Sequence, residues 1–343
     1  MSDPVRQGTV ERVDATLSRV RVGDDVLDCT VRRKLVKFAK GEKTVVVGDH
    51  VVVEQTDRGE WVIKEVLPRR SQLARPGFRG RTERVIVANV DELVVVVAAA
   101  EPEYRTGLID RYLVIAERIG FPAVLCVNKI DLADRGDRGN RAEIERALGF
   151  YADIGYPVFY VSALDGTGLD ELRAHLTGKE SVMCGHSGVG KSSLINRLIP
   201  GAELETREVS EMTGKGRHVT SGATLLALPG DAERAATPGI AGDKAEGIVP
   251  SDASRRPTPG VAGYIVDTPG IREFGLIGVK RDELWRFFPE FLPYDNQCRF
   301  HNCGHIVEPG CAIKAALDSG LLRPSRYDSY QRLYDELPAS EWE

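Results

Sequence analysis

The sequence predicts a multidomain protein with a small N-terminal β-barrel, a central doubly wound α/β domain and a small helical C-terminal domain. Three observations predict this order. Short strands fill roughly the first 70 residues, buried apolar strands then alternate with helices, and a cluster of cysteines and histidine follows. We expect domains at residues 1–72, 73–278 and 279–343.

The composition suits a globular protein that lies outside the membrane. Hydrophobic residues make up 42% of the chain and charged residues 28%, which is ordinary for such a protein. The apolar runs fall short of the ~20 residues that a membrane span needs, and the N-terminus has no apolar secretion signal. We therefore expect a cytoplasmic protein without a membrane partner, and we take it to be a monomer.

Five segments of the first domain alternate apolar with polar residues or are rich in valine: GTVERVDAT, SRVRVG, VLDCTVRR, HVVVEQ and EWVIKEVL. Five short strands indicate a small closed barrel, and the OB-fold is the commonest such barrel that binds oligonucleotides. The basic segment 32–43 would lie on a long loop, where it either contacts RNA or is simply solvated. We interpret the arginine-rich segment 67–84 as a linker that adds a second basic surface.

Continuous apolar runs mark the strands of the central domain, as expected for parallel strands that are buried on both faces. Segments of helical spacing alternate with them along the chain. Residues 230–262 are rich in alanine, glycine and proline without an apolar period, so we expect a disordered insert. We place strands at 93–100, 121–128, 156–163, 181–185, 224–229 and 263–267, and helices at 108–119, 141–149 and 191–199.

A glycine-rich loop joins the fourth of these strands to the helix that follows it. Its sequence, GHSGVGKS, fits the phosphate-binding pattern GxxxxGK[ST] in the strand–helix context that the pattern requires. Backbone N–H groups would cradle the β-phosphate, Lys191 would place charge on the β- and γ-phosphates, and Ser192 would offer a hydroxyl to Mg²⁺. We expect nucleotide contacts from Gly185, His186, Ser187, Gly188, Val189, Gly190, Lys191, Ser192 and Ser193.

Two further strand ends carry residues that suit guanine. Asn128, Lys129 and Asp131 follow the second strand, and a carboxylate there accepts from N1–H and the 2-amino group of guanine, donors that adenine lacks. Asn128 would tie this loop to the phosphate loop, and the Lys129 stem would cover the base. Ser162 and Ala163, at the end of the third strand, would make the second contact to the base edge. The combination predicts binding of GTP and GDP.

The tripeptide TPG occurs three times, and only the copy at 268–270 follows an aspartate and a buried strand. Asp267 would therefore hold Mg²⁺ through water, and the Gly270 amide would contact the γ-phosphate. The copies at 237–239 and 258–260 lie in the expected insert, and we interpret them as decoys.

The residue after Gly270 is Ile271, where many GTPases have a glutamine that orients the attacking water. An aliphatic side chain cannot orient water, so hydrolysis needs another residue beside Lys191. In the first switch loop, Thr220 is our candidate for the Mg²⁺ and γ-phosphate contact. His218 is our candidate for orienting water, and the alternative is a structural or RNA-contacting role.

The motifs stand in a permuted order, because the base-reading loop precedes the phosphate loop and the switches. Such a permutation is tolerable since all these loops meet on one edge of the sheet whatever the connectivity. The second switch, 267–278, would lead directly into the C-terminal domain. We hypothesise that nucleotide-dependent ordering of this switch repositions that domain.

The C-terminal domain holds a compact set of metal-ligating side chains. Cys298, Cys303, His305 and Cys311 supply three thiolates and one imidazole, which suits a closed tetrahedral zinc site. A small domain with little core gains much of its folding free energy from such a metal. We therefore expect one structural Zn²⁺, with His301 as the competing ligand.

The chain resembles the ribosome small-subunit-dependent GTPase A family of circularly permuted GTPases over nearly its whole length. The segments that carry the resemblance are VLPRRSQLARP, ANVDEL, IDRYLVIAE, NKIDL, GHSGVGKSSLIN, DTPGIREFGL and CRFHNCGHIVEPGCAI. The resemblance implies an OB-fold, a permuted GTPase and a zinc domain, with the family's switch histidine at His218. It also implies binding to the small ribosomal subunit and its rRNA, hydrolysis stimulated by that subunit, and a role in its late maturation.

Three functions are compatible with these motifs. The first is a GTP-hydrolysing ribosome biogenesis factor whose slow turnover an activating partner accelerates. The second is a GTP-controlled RNA- or ribosome-binding module in which hydrolysis is incidental. The third, an RNA-binding protein with a relic nucleotide site, is disfavoured because Asp131, Lys191, Ser192 and Asp267 are all present.

Overall fold

The computed structural model describes residues 5–14, 17–32, 45–76, 83–133, 140–204, 223–230, 261–267, 276 and 278–338. These residues form a five-stranded barrel, an α/β sheet with an apolar core on each face, and a helical C-terminal domain. Among the described helices, none has both the length and the hydropathy that crossing a membrane requires.

The strands follow the apolar patterns of the sequence. Every residue of ELVVVVA in β8 is buried, whereas exposed and buried residues mix in the barrel strands. The strands are β1 (Arg6–Val13), β2 (Ser18–Val22), β3 (Asp25–Val31), β4 (His50–Gln55), β5 (Trp61–Val66), β6 (Gln72–Pro76), β7 (Glu83–Ala88), β8 (Glu92–Ala98), β9 (Ala123–Asn128), β10 (Val158–Tyr160), β11 (Glu180–Cys184), β12 (Thr224–Pro229) and β13 (Val261–Asp267).

The first five strands close into a barrel, because β1 pairs with both β2 and β4 while β3 runs parallel to β5. Val10, Val20, Cys29, Val51 and Ile63 fill its interior. The predicted N-terminal OB-fold barrel is confirmed. β1 also pairs with β12, so that the barrel continues the sheet of the central domain.

The central sheet has the order β10-β9-β8-β11-β13-β12, in which β12 is antiparallel to β13 and the other pairs are parallel. Parallel strands need crossover connections, and helices supply them on both faces. The helices are α1 (Thr106–Ile119), α2 (Ile130–Ala133), α3 (Arg141–Leu148), α4 (Phe150–Asp153), α5 (Leu169–Leu176), α6 (Lys191–Leu198), α7 (Ala312–Asp318) and α8 (Pro324–Glu336), with 3-10 helices at Leu284–Phe287 and Pro289–Tyr294.

Two expectations about connecting segments need correction. The arginine-rich segment 67–84 is not simply a linker, because β6 and β7 pair as an antiparallel hairpin that buries Leu73 against Val87. The expected insert also ends earlier than residue 262, since β13 begins at Val261 and pairs with β12. Residues 231–260 lie outside the described residues, so the expectation of disorder there stays a prediction.

The C-terminal domain has its own apolar core of aliphatic and aromatic side chains, in which Phe288, Phe291 and Tyr330 contact one another. Val114 of α1 belongs to the same core. The C-terminal domain therefore packs directly on a helix of the central domain.

Candidate guanine nucleotide site and metal cluster

The motifs predicted from the sequence meet at one edge of the central sheet. β8, β9, β10, β11 and β13 run parallel, so their carboxyl ends lie side by side. Ligands of open α/β sheets bind at this edge. The base-reading loop leaves β9, the Ser162-Ala163 pair follows β10, and the phosphate loop leaves β11.

The phosphate loop depends on glycines at two close approaches. A Cβ on Gly185, which has a φ of +145°, would lie 2.1 Å from the carbonyl oxygen of Val96. A Cβ on Gly190, with a φ of +89°, would lie 2.4 Å from Nδ2 of Asn128. Nζ of Lys191 donates to the carbonyls of Gly185 and His186 at 2.8 and 2.9 Å. The lysine side chain therefore lies along the phosphate loop, where it is predicted to bind the phosphates.

Asn128 joins three of the predicted motifs through one side chain. Its Nδ2 donates to the carbonyl of Val189 in the phosphate loop at 2.9 Å, and its Oδ1 accepts from the backbone N–H of Ala163 at 3.1 Å. The side chain is buried. A buried amide with both ends satisfied fixes its neighbours, because breaking either bond leaves an unpaired polar group.

Ser162 orients the carboxylate that is predicted to read guanine. Its hydroxyl donates to Oδ1 of Asp131 at 2.7 Å and accepts from the N–H groups of Leu164 and Asp165 at 3.2 Å each. In the same loop, backbone and side-chain hydrogen bonds from Thr167 lower the pKa of the Asp165 carboxyl. The serine hydroxyl thus donates its single hydrogen to Asp131 and accepts one hydrogen bond from the loop at each of its two lone pairs.

Lys129 contacts a segment that the sequence motifs did not single out. It has a left-handed backbone with a φ of +61°, and its Nζ donates to the carbonyl of Glu101. Pro102, the residue after Glu101, lies against the phosphate loop, since its Cδ is 3.6 Å from a Cβ placed on Gly188. Residues 101 and 102 belong to none of the predicted motifs, so only the folded chain shows that they border the site.

Only some of the residues predicted to bind Mg²⁺ and to act in hydrolysis lie in the part of the chain that the structure describes. Asp267 ends β13 beside Met183 of β11, directly before the phosphate loop, and Ser192 and Ser193 stand in the first turn of α6. Oxygen ligands from a serine hydroxyl and a carboxylate suit Mg²⁺. His218, Thr220 and Gly270 lie outside the described residues.

Four side chains of the C-terminal domain converge as a metal site requires. The ligand atoms of Cys298, Cys303, His305 and Cys311 all lie within 4.8 Å of one another, and His301 is not among them. Sγ of Cys298 lies 3.9 Å from Sγ of Cys311 and 3.6 Å from Nδ1 of His305. A tetrahedron with Zn–S bonds of about 2.3 Å has edges of about 3.8 Å, so the spacing fits zinc.

The surroundings of the cluster support the same reading. Burial lowers the pKa of His305 and so favours the neutral imidazole that ligates metal. The N–H of Ala312 lies 3.3 Å from Sγ of Cys298. The hydroxyl of Tyr327 donates to the His305 carbonyl at 2.7 Å, which fixes the backbone of that ligand.

The strand order and the predicted base-reading loop that precedes the phosphate loop define a circularly permuted P-loop GTPase. A family model described as RsgA GTPase matches residues 66–245. The chain belongs to the RsgA GTPase family.

Relatives that carry this name align with almost the whole chain. It is 39% identical over 340 residues to the small ribosomal subunit biogenesis GTPase RsgA of Chlorobaculum tepidum, covering 96% of this chain and 97% of that protein. The protein of the same name from Pseudomonas aeruginosa is 38% identical over 336 residues, covering 98% of this chain and 84% of that one.

Two solved structures share the architecture. YjeQ from Thermotoga maritima has a TM-score of 0.71 and 32% identity, covering 97% of this chain and 99% of that one. YloQ, described as a circularly permuted GTPase, has a TM-score of 0.67 and 25% identity, covering 98% and 96%. The predicted fold class, a barrel followed by a permuted GTPase and a zinc-type domain, is confirmed.

Proposed function

We propose that this chain binds GTP with Mg²⁺, hydrolyses it, and acts in the late maturation of the small ribosomal subunit. The observation that carries the proposal is the side chain of Asn128, which bonds both the phosphate loop and the Ser162-Ala163 loop. Asp131 reads the guanine edge, and Lys191 binds the phosphates. The names of the relatives support the ribosomal role.

The magnesium and catalytic assignments extend this proposal. Ser192 and Asp267 hold Mg²⁺ with Thr220, and Gly270 contacts the γ-phosphate. His218 orients the attacking water, because Ile271 cannot. One structural Zn²⁺ is held by the cluster of three cysteines and His305.

The ribosomal partner is expected to contact the protein through RNA phosphates. Two arginines of the basic segment 67–84 are already bound to carboxylates. Arg69 donates to Asp49 at 2.7 Å, and Arg70 donates to Asp91 at 3.1 Å. Arg32 of the segment 32–43 likewise pairs with Glu54. We therefore assign the phosphate contacts to the remaining basic residues of both segments, and binding to small subunits should weaken steeply as salt increases.

We also propose a cytoplasmic monomer with domain boundaries near residues 72 and 278. The barrel has an apolar core of its own, and apart from Val114 of α1 the buried members of the C-terminal core lie beyond residue 278, which supports these boundaries. Size-exclusion chromatography with light scattering measures the oligomeric state directly.

The deciding experiment measures GTP turnover with and without purified small subunits, for the wild type and for His218→Ala. We expect slow turnover alone and strong stimulation by the subunit, since an activating partner can raise such rates by ~10³–10⁵. The variant should bind GTP as the wild type does and lose the stimulation.

The alternative, a GTP-controlled binding module in which hydrolysis is incidental, gives a different result in the same assay. Subunits would then bind in a GTP-dependent way without accelerating turnover. Equal binding of ATP and GTP would contradict both versions, because Asp131 would not be reading the base.

A further inference from the structure

Arg326 of α8 is buried at the junction between the C-terminal and central domains, with 1% of its side chain exposed. Its guanidinium donates to Oδ1 of Asp110 on α1 at 2.6 Å, and to the two carboxylate oxygens of Glu290 at 2.6 and 3.1 Å. The hydroxyl of Tyr151 on α4 donates to the same Asp110 oxygen at 2.6 Å. Such a buried network holds its members in place, because losing one partner leaves an uncompensated charge in the interior.

The same helix covers the first turn of α1. A Cβ placed on Gly107 would lie 3.4 Å from Nη1 of Arg332 and 3.9 Å from Oγ of Ser329, both on α8. Arg111, on the next turn, pairs with Glu336. The N-terminal part of α1 is therefore held by the C-terminal domain.

The loop that enters α1 contacts the nucleotide site. The carbonyl of Glu101 accepts from Nζ of Lys129, and Pro102 lies against Gly188 of the phosphate loop. α1 begins at Thr106, so Asp110 stands about one turn inside the helix. The residue anchored by Arg326 and the loop that holds Lys129 are thus close neighbours along the chain.

We infer that Arg326 is a positioning residue for the guanine nucleotide. By holding Asp110 about one turn into α1, it fixes the start of that helix and the loop before it, which holds Lys129 and borders the phosphate loop. The inference rests on the proposed nucleotide site and adds a route from the zinc-type domain to that site that is separate from the second switch. The C-terminal domain then contributes to nucleotide affinity from outside the base-reading and phosphate loops.

The test measures the affinity of the full-length, zinc-loaded protein for a fluorescent GDP analogue. Arg326→Met removes the polar contacts and keeps a side chain of similar length. We expect GDP to bind about threefold to thirtyfold more weakly, the size of measured long-range couplings, and to dissociate faster. Arg326→Lys, which keeps a charge near Asp110, should recover part of the affinity.

Arg281→Met is the matched control. Arg281 donates to the carbonyls of Tyr334 and Leu337 at 3.1 and 2.7 Å, within the C-terminal domain. Its removal perturbs that domain without touching the Asp110 network, so GDP affinity should stay at the wild-type value. Zinc content and thermal unfolding show whether each variant is folded. If Arg326→Met does not fold, the GDP affinity of Arg326→Lys is compared with that of Arg281→Met instead.

A double-mutant cycle with Lys129→Ala identifies the route. If Arg326 acts through Lys129, Arg326→Met adds little to the loss caused by Lys129→Ala, whereas independent losses that multiply would overturn the inference. Equal GDP affinity in Arg326→Met and Arg281→Met would overturn it as well. Failure of the wild type to bind GDP would instead contradict the proposed function.

Discussion

Gly190 and Asn128 approach each other so closely that no side chain fits between them. A Cβ on Gly190 would lie 2.4 Å from Nδ2 of Asn128, and that Nδ2 donates to the neighbouring carbonyl of Val189. The phosphate loop and the base-reading loop are therefore locked together before any nucleotide arrives. Preorganisation of this kind raises affinity because less ordering is left for the binding step.

We predict that Gly190→Ala abolishes measurable GTP and GDP binding. The new methyl group would displace Asn128, and the φ of +89° is strained for any L side chain. Calorimetric titration with GDP measures the effect. Gly155→Ala is the control, since Gly155 also has a positive φ, of +101°, but has nothing within 4 Å of the added Cβ. Retained GDP affinity in Gly190→Ala would contradict the lock between the two loops.

We predict that Asp131→Asn changes the preferred base from guanine to xanthine. The carboxylate accepts from the 2-amino group of guanine, whereas an amide can donate to the 2-oxo group of xanthine. The ratio of GDP to XDP affinity should fall by at least about a hundredfold. Competition binding with the two diphosphates measures this ratio, and an unchanged ratio would show that another group reads the base edge.

We predict that Cys311→Ser releases zinc and unfolds the C-terminal domain. The domain is small, and its cluster joins the 3-10 helices to α7, so loss of one thiolate removes much of its folding free energy. Zinc content and near-ultraviolet circular dichroism measure the outcome. His301→Ala is the matched control, because His301 is exposed and its ring is not one of the four converging ligands. Loss of zinc from His301→Ala would reopen the ligand assignment.

A further prediction concerns Glu92, whose side chain is 3% exposed. Burial raises its pKa, but hydrogen bonds from His175 and Lys179 outweigh burial and hold the pKa below the ordinary 4.5. A carboxyl with a lowered pKa in the folded state stabilises the protein above its unfolded pKa, and this contribution is lost as the pH falls. Glu92→Gln should lower the free energy of unfolding by about 1–3 kcal/mol at neutral pH.

Urea unfolding at a series of pH values tests this prediction. The difference between the wild type and Glu92→Gln should shrink as the pH drops below 4.5, because the wild-type carboxyl then also becomes protonated. Glu171→Gln, at an exposed position on the same helix as His175, should show little effect at any pH. A difference that is constant across the pH range would mean that the charge of Glu92 is not what stabilises the fold.

Much of the site could be predicted because its chemistry is local in the sequence. A strand, a glycine-rich turn and a helix beginning at Lys191 are specified by adjacent residues, and so are Asn128 and Asp131 at the end of a buried strand. The β6–β7 hairpin was missed for the opposite reason. Its arginines dominated the pattern, while the burial of Leu73 against Val87 depends on contacts beyond the segment.

The sequence by itself determined the order of the domains, the nucleotide motifs and the cysteine–histidine segment of the metal cluster, because each is encoded by residue type and spacing within a short stretch. Only the tertiary structure decided which distant elements touch. Arg326 reaches Asp110 across 216 positions of the chain, and β1 pairs with β12 across an entire domain. No local pattern specifies such pairs, since a buried charge selects its partner by where the packed helices place it and not by its neighbours in the sequence.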